Sequence, residues 1–344
     1  MSRYHIIKGC IHIHFPLNLM EKGIEIISKN AENAGLDFAI LTSHIPEKKP
    51  SRYERILKFN NYYGKTLIIS GQETNDINKK NHLIIAGEEK WYRKRKKIGE
   101  IIKNINKNSL TVSAHPFGSH RLFFKRKNYE WREWEVKFDC IEVWSLLFDW
   151  ASLTHPFNLP YRYFTFPDNL KGPDEKTISK WDEISKNRKI TGIAGLDIHK
   201  IPFFLEIFDI KRNFLYETTF KILRNYLFLK ENLSGNSEQD MEKIFLCLKK
   251  GNLYFANDYL MNSDGFYFGE ENGDFIMGDY GKLGSKIVVK IPAKGKITLI
   301  KNGKVIKEKE GDFLNYYINE KGNYRTVAYY DGKSWIFSNI IYFI

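Results

Sequence analysis

The 344-residue sequence predicts an α/β protein with a largely parallel sheet and a β-rich C-terminal region. Three observations carry this. Short apolar runs alternate with amphipathic stretches, the character changes after Asp197, and hairpin dipeptides recur near the C-terminus. Apolar, β-branched runs lie at Ile6 to His14, Phe38 to Ser43, Thr66 to Thr74, His82 to Gly87, Leu110 to His115, Cys140 to Ser145 and Thr191 to Asp197. Each is bounded by Gly, Asn or charge and reads as a buried strand. Between them, Glu21 to Ala34 places Ile24, Ile27, Ala31 and Ala34 at helical spacing, with Gly35 as a stop. Arg52 to Tyr63, Ile98 to Ile105 and Thr177 to Asn187 read as helices too. Strand and helix in repetition suit a barrel at least as well as an open sheet.

After Asp197, Phe204 to Lys230 is aromatic-rich and expected to be helical in part, and Ser237 to Lys250 reads as a helix. From Asn252 onward, short runs are separated by Asn302-Gly303, Lys321-Gly322 and Asp331-Gly332. Asn-Gly and Asp-Gly supply the positive φ of tight turns, so a small sandwich-like β region is expected. The division drawn is residues 1–250 and 251–344, which suits about two domains for this length.

The composition is 42% hydrophobic and 28% charged, which excludes a disordered or fibrous chain. Lys and Arg exceed Asp and Glu by 54 − 41, a net charge of +13 that favours anionic partners. The three cysteines, Cys10, Cys140 and Cys247, are too scattered for a disulfide scaffold or a metal pair. They suggest reduced thiols and a cytoplasmic setting. No apolar run reaches the ~18 residues of a membrane span.

The histidines are the informative residues. His12 and His14 flank Ile13, and strand alternation turns both to one side. His44 follows Thr42-Ser43, Glu73 ends one apolar run, His82 opens the next, and His115 precedes Pro116. Asp197 and His199 close the series. Strand C-termini of α/β folds converge on the ligand site. A lone buried histidine is more often a core residue, but independent core histidines would not share one end of successive strands. Six imidazoles with carboxylates there point to zinc, manganese or iron.

These segments resemble the PHP (polymerase and histidinol phosphatase) superfamily. The resemblance runs through Gly9-Cys10-Ile11-His12-Ile13-His14, Leu41-Thr42-Ser43-His44, Gly71-Gln72-Glu73, His82 to Gly87, Ala114-His115-Pro116, Ile141-Glu142-Val143-Trp144 and Gly195 to His199. The tail, Trp335 to Asn339 with Ile341-Tyr342, is similar to a carbaryl-hydrolase-like branch. The resemblance implies a distorted (β/α)7 TIM-like barrel and a hydrolase, most often of phosphoesters, using a metal-bridging hydroxide. It also implies that His12, His14 and Asp197 hold one metal, that Glu73 bridges, and that His82 and His115 complete a second. His44 and His199 would hold a weak third ion or act on substrate. The family's Ser-Asp-Gly and Thr-Asp-His acids are missing here, where Phe15 to Met20 and Thr42-Ser43-His44 stand. Two tightly held ions are therefore expected.

Arg121 and Lys200 are candidates to meet an anionic substrate, while His5, His120 and His155 carry less weight. Glu142 is placed to orient an imidazole. The leading expectation is a phosphoesterase acting on a small phosphorylated or nucleotide substrate. A carboxylic ester, carbamate or amide hydrolase is the alternative. A nucleic-acid-binding role for the basic run Lys90 to Lys97, with its interleaved aromatics, is less favoured.

Overall fold

The computed structural model describes residues 4–15, 17–48, 50–93, 96–121, 126–199 and 216–344. Strand β1 (His5–Ile13) leads to helix α1 (Glu21–Asn33), which buries Ile24, Ile27 and Ala31 on one face and stops before Gly35 at φ 71°. Strands β2 (Phe38–Leu41), β3 (Thr66–Asn75), β4 (His82–Ala86), β5 (Leu110–Ser113) and β6 (Cys140–Ser145) follow. Helix α2 (Glu175–Ser185) begins at Asp174, whose side chain accepts from the Thr177 amide, and strand β7 (Thr191–Gly195) comes after it. All seven expected strands are therefore present, each buried along most of its length. Continuous apolar runs of this kind suit strands covered on both faces.

One sequence reading fails and another holds only in part. The helix expected over Arg52 to Tyr63 is a short α turn (Ser51–Glu54) and a 3-10 turn (Arg55–Lys58), then a strand (Asn61–Tyr63) along β3. Within Phe204 to Lys230, residues 204–215 lie outside the described residues. The remainder is a one-turn helix (Tyr216–Phe220) and a strand, β8 (Leu223–Leu229). β8 is buried on both faces, so its run lacks the alternation that marks a strand.

Helix α3 (Ser237–Lys250) has Asn236 accepting from the Gln239 amide, acids in its first turn and lysines in its last. Strand β9 (Leu253–Asn257) is followed by β10 (Lys286–Lys301), β11 (Lys304–Tyr317), β12 (Gly322–Tyr330), β13 (Lys333–Ser338) and β14 (Ile341–Phe343). The turns at Asn302-Gly303 and Asp331-Gly332 have positive φ at both residues, as their sequences require.

The pairing is mixed. β1–β2, β2–β3, β5–β6 and β6–β7 are parallel, whereas β3–β4, β4–β5 and β1–β8 are antiparallel. The expected (β/α)7 barrel is not shown, because no ladder among the described residues closes the sheet. β7 reaches β1 only at its C-terminal end, through the bridge Ile13–Ile198 and the bonds from Leu196 N to Ile11 O and Asp197 N to His12 O. Further back, β8 lies against β1, and its Asn225 side chain bonds both the N–H and the C=O of Ala194 on β7. Nor do the C-terminal strands form a sheet of their own. β8 pairs with β9 and β9 with β13, joining them to the rest.

Candidate metal centre

The centre lies where the C-terminal ends of β1, β6 and β7 meet the ends of β3, β4 and β5. Glu73 is its hub. Its carboxylate lies 3.4 Å from His12 Nε2 and 3.2 Å each from the Nε2 atoms of His14, His44 and His115, and it contacts His82 Nδ1. Asp197 stands 3.3 Å from His12 and 3.2 Å from His14, both at Nε2. The His199 ring stacks on His14 at 4.0 Å, and its Nδ1 bonds the Asp197 carbonyl. All eight sequence-selected histidine, glutamate and aspartate residues therefore come together, though they are spread over residues 12–199. His12, His14, Glu73, His82, His115 and Asp197 are buried, and His44 and His199 line the more open side.

Two compact donor groups result. One ligand atom each from His12, Glu73, His115 and Asp197 lies within 4.8 Å of the others, and the same holds for His14, His44 and His199. This grouping differs from the resemblance, which pairs His14 with His12. The donor chemistry fits divalent transition ions. So do the buried atoms that lack a hydrogen bond among the described residues. His14 Nε2, His82 Nε2 and Asp197 Oδ1 are sealed from solvent, and His14 Nε2 lies 3.2 Å from Asp197 Oδ1 without hydrogen-bond geometry. Buried polar atoms are ordinarily satisfied.

Local backbone shape sets this geometry. His12, His115 and Asp197 have φ of 65°, 26° and 50°. Each such residue costs about 1–3 kcal/mol and persists only where its surroundings hold it. At His12 the β1–β2 register shifts between Cys10 and Ile13, so His12 and His14 share a side through a bulge and not through simple alternation. Glu142 on β6 supplies the restraint. Its Oε2 accepts from His12 Nδ1 and from the His115 amide, each at 2.9 Å. It therefore fixes two of the three unusual residues and leaves His12 Nε2 facing the centre. Gly195 makes room for it, since a Cβ there would lie 2.2 Å from Glu142 Oε1.

The electrostatics follow from the packing. Burial pushes the Glu73 carboxyl up, but His44, His82, His12 and His115 outweigh it and hold the group well below the usual carboxylate range. Burial likewise opposes charge on His12, but Glu142, Asp197 and Glu73 raise it well above the ordinary imidazole value. A divalent ion would replace such protons as the counter-charge.

Arg121 is exposed, with no contact to the centre among the described residues, and Lys200 lies outside them. His5, at the opposite end of β1 from His12, and His155 are exposed. Of the basic run, residues 94 and 95 lie outside the described residues. Sequence reasoning missed Tyr129 and Phe148. Tyr129 sits edge-on to His82 at 4.8 Å, and Phe148 covers His115 at 4.5 Å. It also missed Tyr216, whose hydroxyl donates to the His14 carbonyl. Nothing in their local sequence marks them.

No helix among the described residues is long and apolar enough to cross a membrane. The three cysteines are free and buried. No family model and no curated protein matches the chain. Among solved structures it is similar to a two-domain Bacteroides vulgatus protein containing a predicted PHP-like metal-dependent phosphoesterase. The identity is 12% and the TM-score 0.42, with 99% of this chain and 96% of that one covered. So distant a likeness carries no argument about chemistry or about the carbaryl-hydrolase-like branch.

Proposed function

We propose that the chain is a cytoplasmic, metal-dependent hydrolase of the PHP type, acting on a small phosphorylated or nucleotide substrate. The supporting observation is the convergence of five imidazoles on the single Glu73 carboxylate, with Asp197 beside it. Residues 1–250 carry the centre, on a strand arrangement read as a distorted, incompletely closed barrel, and residues 251–344 are accessory. His12, His14, Glu73, His82, His115 and Asp197 hold two zinc, manganese or iron ions. When bound, two such ions lower the pKa of water and neutralise charge on the ester oxygens. Glu142 holds His12 in one tautomer. His44 and His199, the most accessible imidazoles of the cluster, take and return protons at the leaving group. Arg121 is the candidate for a substrate oxygen.

The test is metal content of protein purified without chelator, followed by hydrolysis of p-nitrophenyl phosphate and p-nitrophenyl acetate. The expected result is about two ions per chain and turnover of the phosphate. Turnover of the acetate alone would move the reading to a carbonyl hydrolase. No metal, even after reconstitution, would end the hydrolase reading.

A further inference from the structure

A cavity of about 630 Å³ adjoins the centre and is walled in part by the C-terminal strands. At one end are His115 and Glu142, with Phe117 and Phe148 beside them. Ile178 of α2 lines it too, with Ile300, Val327, Tyr329 and Phe337 of β10, β12 and β13. Its size is that of a pocket for a small organic molecule. The residues that build it come from sequence positions 115 to 337, so neither part of the chain forms it alone.

The polar lining says what enters. Asp149 is fully engaged, accepting from the Trp144 indole and from the amides of Lys171 and Gly172. Asp174 caps α2. Arg325 is held in a two-pronged pair by Asp182, 2.7 Å at each contact, which balances its charge. Glu142, Asp149, Asp174 and Glu175 outnumber Lys171 and Arg325 along the walls, so a second anionic group would be repelled. Glu142 Oε1, Ser145 Oγ and Arg325 Nη1 are buried with no hydrogen-bond partner among the described residues. Ser119, Ser152, Thr177 and Ser334 add uncharged hydroxyl residues, and most of the remaining lining is aliphatic or aromatic.

We infer that this cavity takes the uncharged, ring-bearing part of the substrate, such as a nucleoside or aryl group, while the ester sits at the metal centre. The inference rests on the hydrolase reading above. It gives the C-terminal strands a part in substrate choice.

The test uses metal-loaded protein and two non-hydrolysable anions, methylphosphonate and 1-naphthylphosphonate, measured by calorimetry. They share a head group and differ in the ring. Naphthylphosphonate is expected to bind about tenfold or more tighter. Ile178→Trp fills the cavity from the helix side, and Tyr329→Ala removes a ring from the strand side. Both positions are half-buried. Each variant should lose most of the naphthyl advantage, with methylphosphonate binding, metal content and thermal midpoint unchanged. Equal binding of the two anions to the wild type, or an advantage that survives both variants, overturns the inference while leaving the hydrolase reading standing. Failure of both anions to bind metal-loaded protein overturns the phosphoester reading and this inference with it.

Discussion

The metal centre and the C-terminal hairpins both place non-glycine residues in the left-handed region, but only the centre does so with histidines. In the hairpins these are Asn302 and Asp331, each followed by glycine in a two-residue turn. Asn and Asp accept that conformation at low cost, and the turn's twist matches its strands. At the centre they are Asp197, which accepts it as Asp331 does, and two histidines, His12 and His115, which suit it less well. The hairpins are built over an apolar core that includes Phe268, Val289, Leu299 and Trp335. The centre is a buried polar cluster with several atoms unsatisfied. The same backbone shape therefore serves folding in one region. In the other it is strain, held by Glu142 and by strand pairing so that donor atoms converge.

The sharpest way to break this contrast is Glu73→Gln. It removes the charge that gathers five imidazoles, and the loss of metal should lower kcat by about 10³-fold or more, several kcal/mol of transition-state stabilisation. Metal analysis and steady-state kinetics on one preparation check it, and full metal occupancy with normal turnover would refute Glu73 as the hub. The counterpart in the other region is Trp335→Ala. Trp335 is fully buried and donates to the Met261 carbonyl. Truncation should cost about 3–5 kcal/mol in urea denaturation. At temperatures where the variant stays folded, its metal content should match the wild type.

A smaller effect is expected at Glu142→Gln. The amide oxygen can still accept from both His12 Nδ1 and the His115 amide, but without the charge that makes His12 a stronger ligand. Metal affinity should fall about 10- to 100-fold, as for other groups that orient a ligand from behind. A competition titration with a chelator measures it, and an unchanged affinity would mean that the charge of Glu142 adds nothing to His12 as a ligand. The smallest effect belongs to the hairpin. Asp331→Ala should cost about 1 kcal/mol, because alanine pays the left-handed penalty, whereas Asp331→Gly should be near neutral. If both variants lose equal stability, backbone preference is not what Asp331 contributes.

Much of this was legible in the sequence, and the reasons are local. Apolar β-branched runs marked seven strands, Asn302-Gly303 and Asp331-Gly332 marked two C-terminal hairpin turns, and the strand-end positions of His12, His14, His44, Glu73, His82, His115, Asp197 and His199 marked the cluster. These are properties of short windows, in which alternation and turn chemistry act directly on the backbone. β8 was missed because burial on both faces erases alternation, and Asn61–Tyr63 because pairing with β3 overrode a helical pattern.

Tertiary structure alone decided the rest. It brought Glu142 to His12 across 130 positions and laid Phe148 over His115. It inserted antiparallel β8 beside β1, so the sheet did not close as a parallel barrel. It also set Ile300, Val327, Tyr329 and Phe337 against the cavity next to the centre. Periodicity says which side of a strand a residue faces. It does not say which strand lies opposite, because that choice is made by the summed burial and hydrogen bonding of the whole chain.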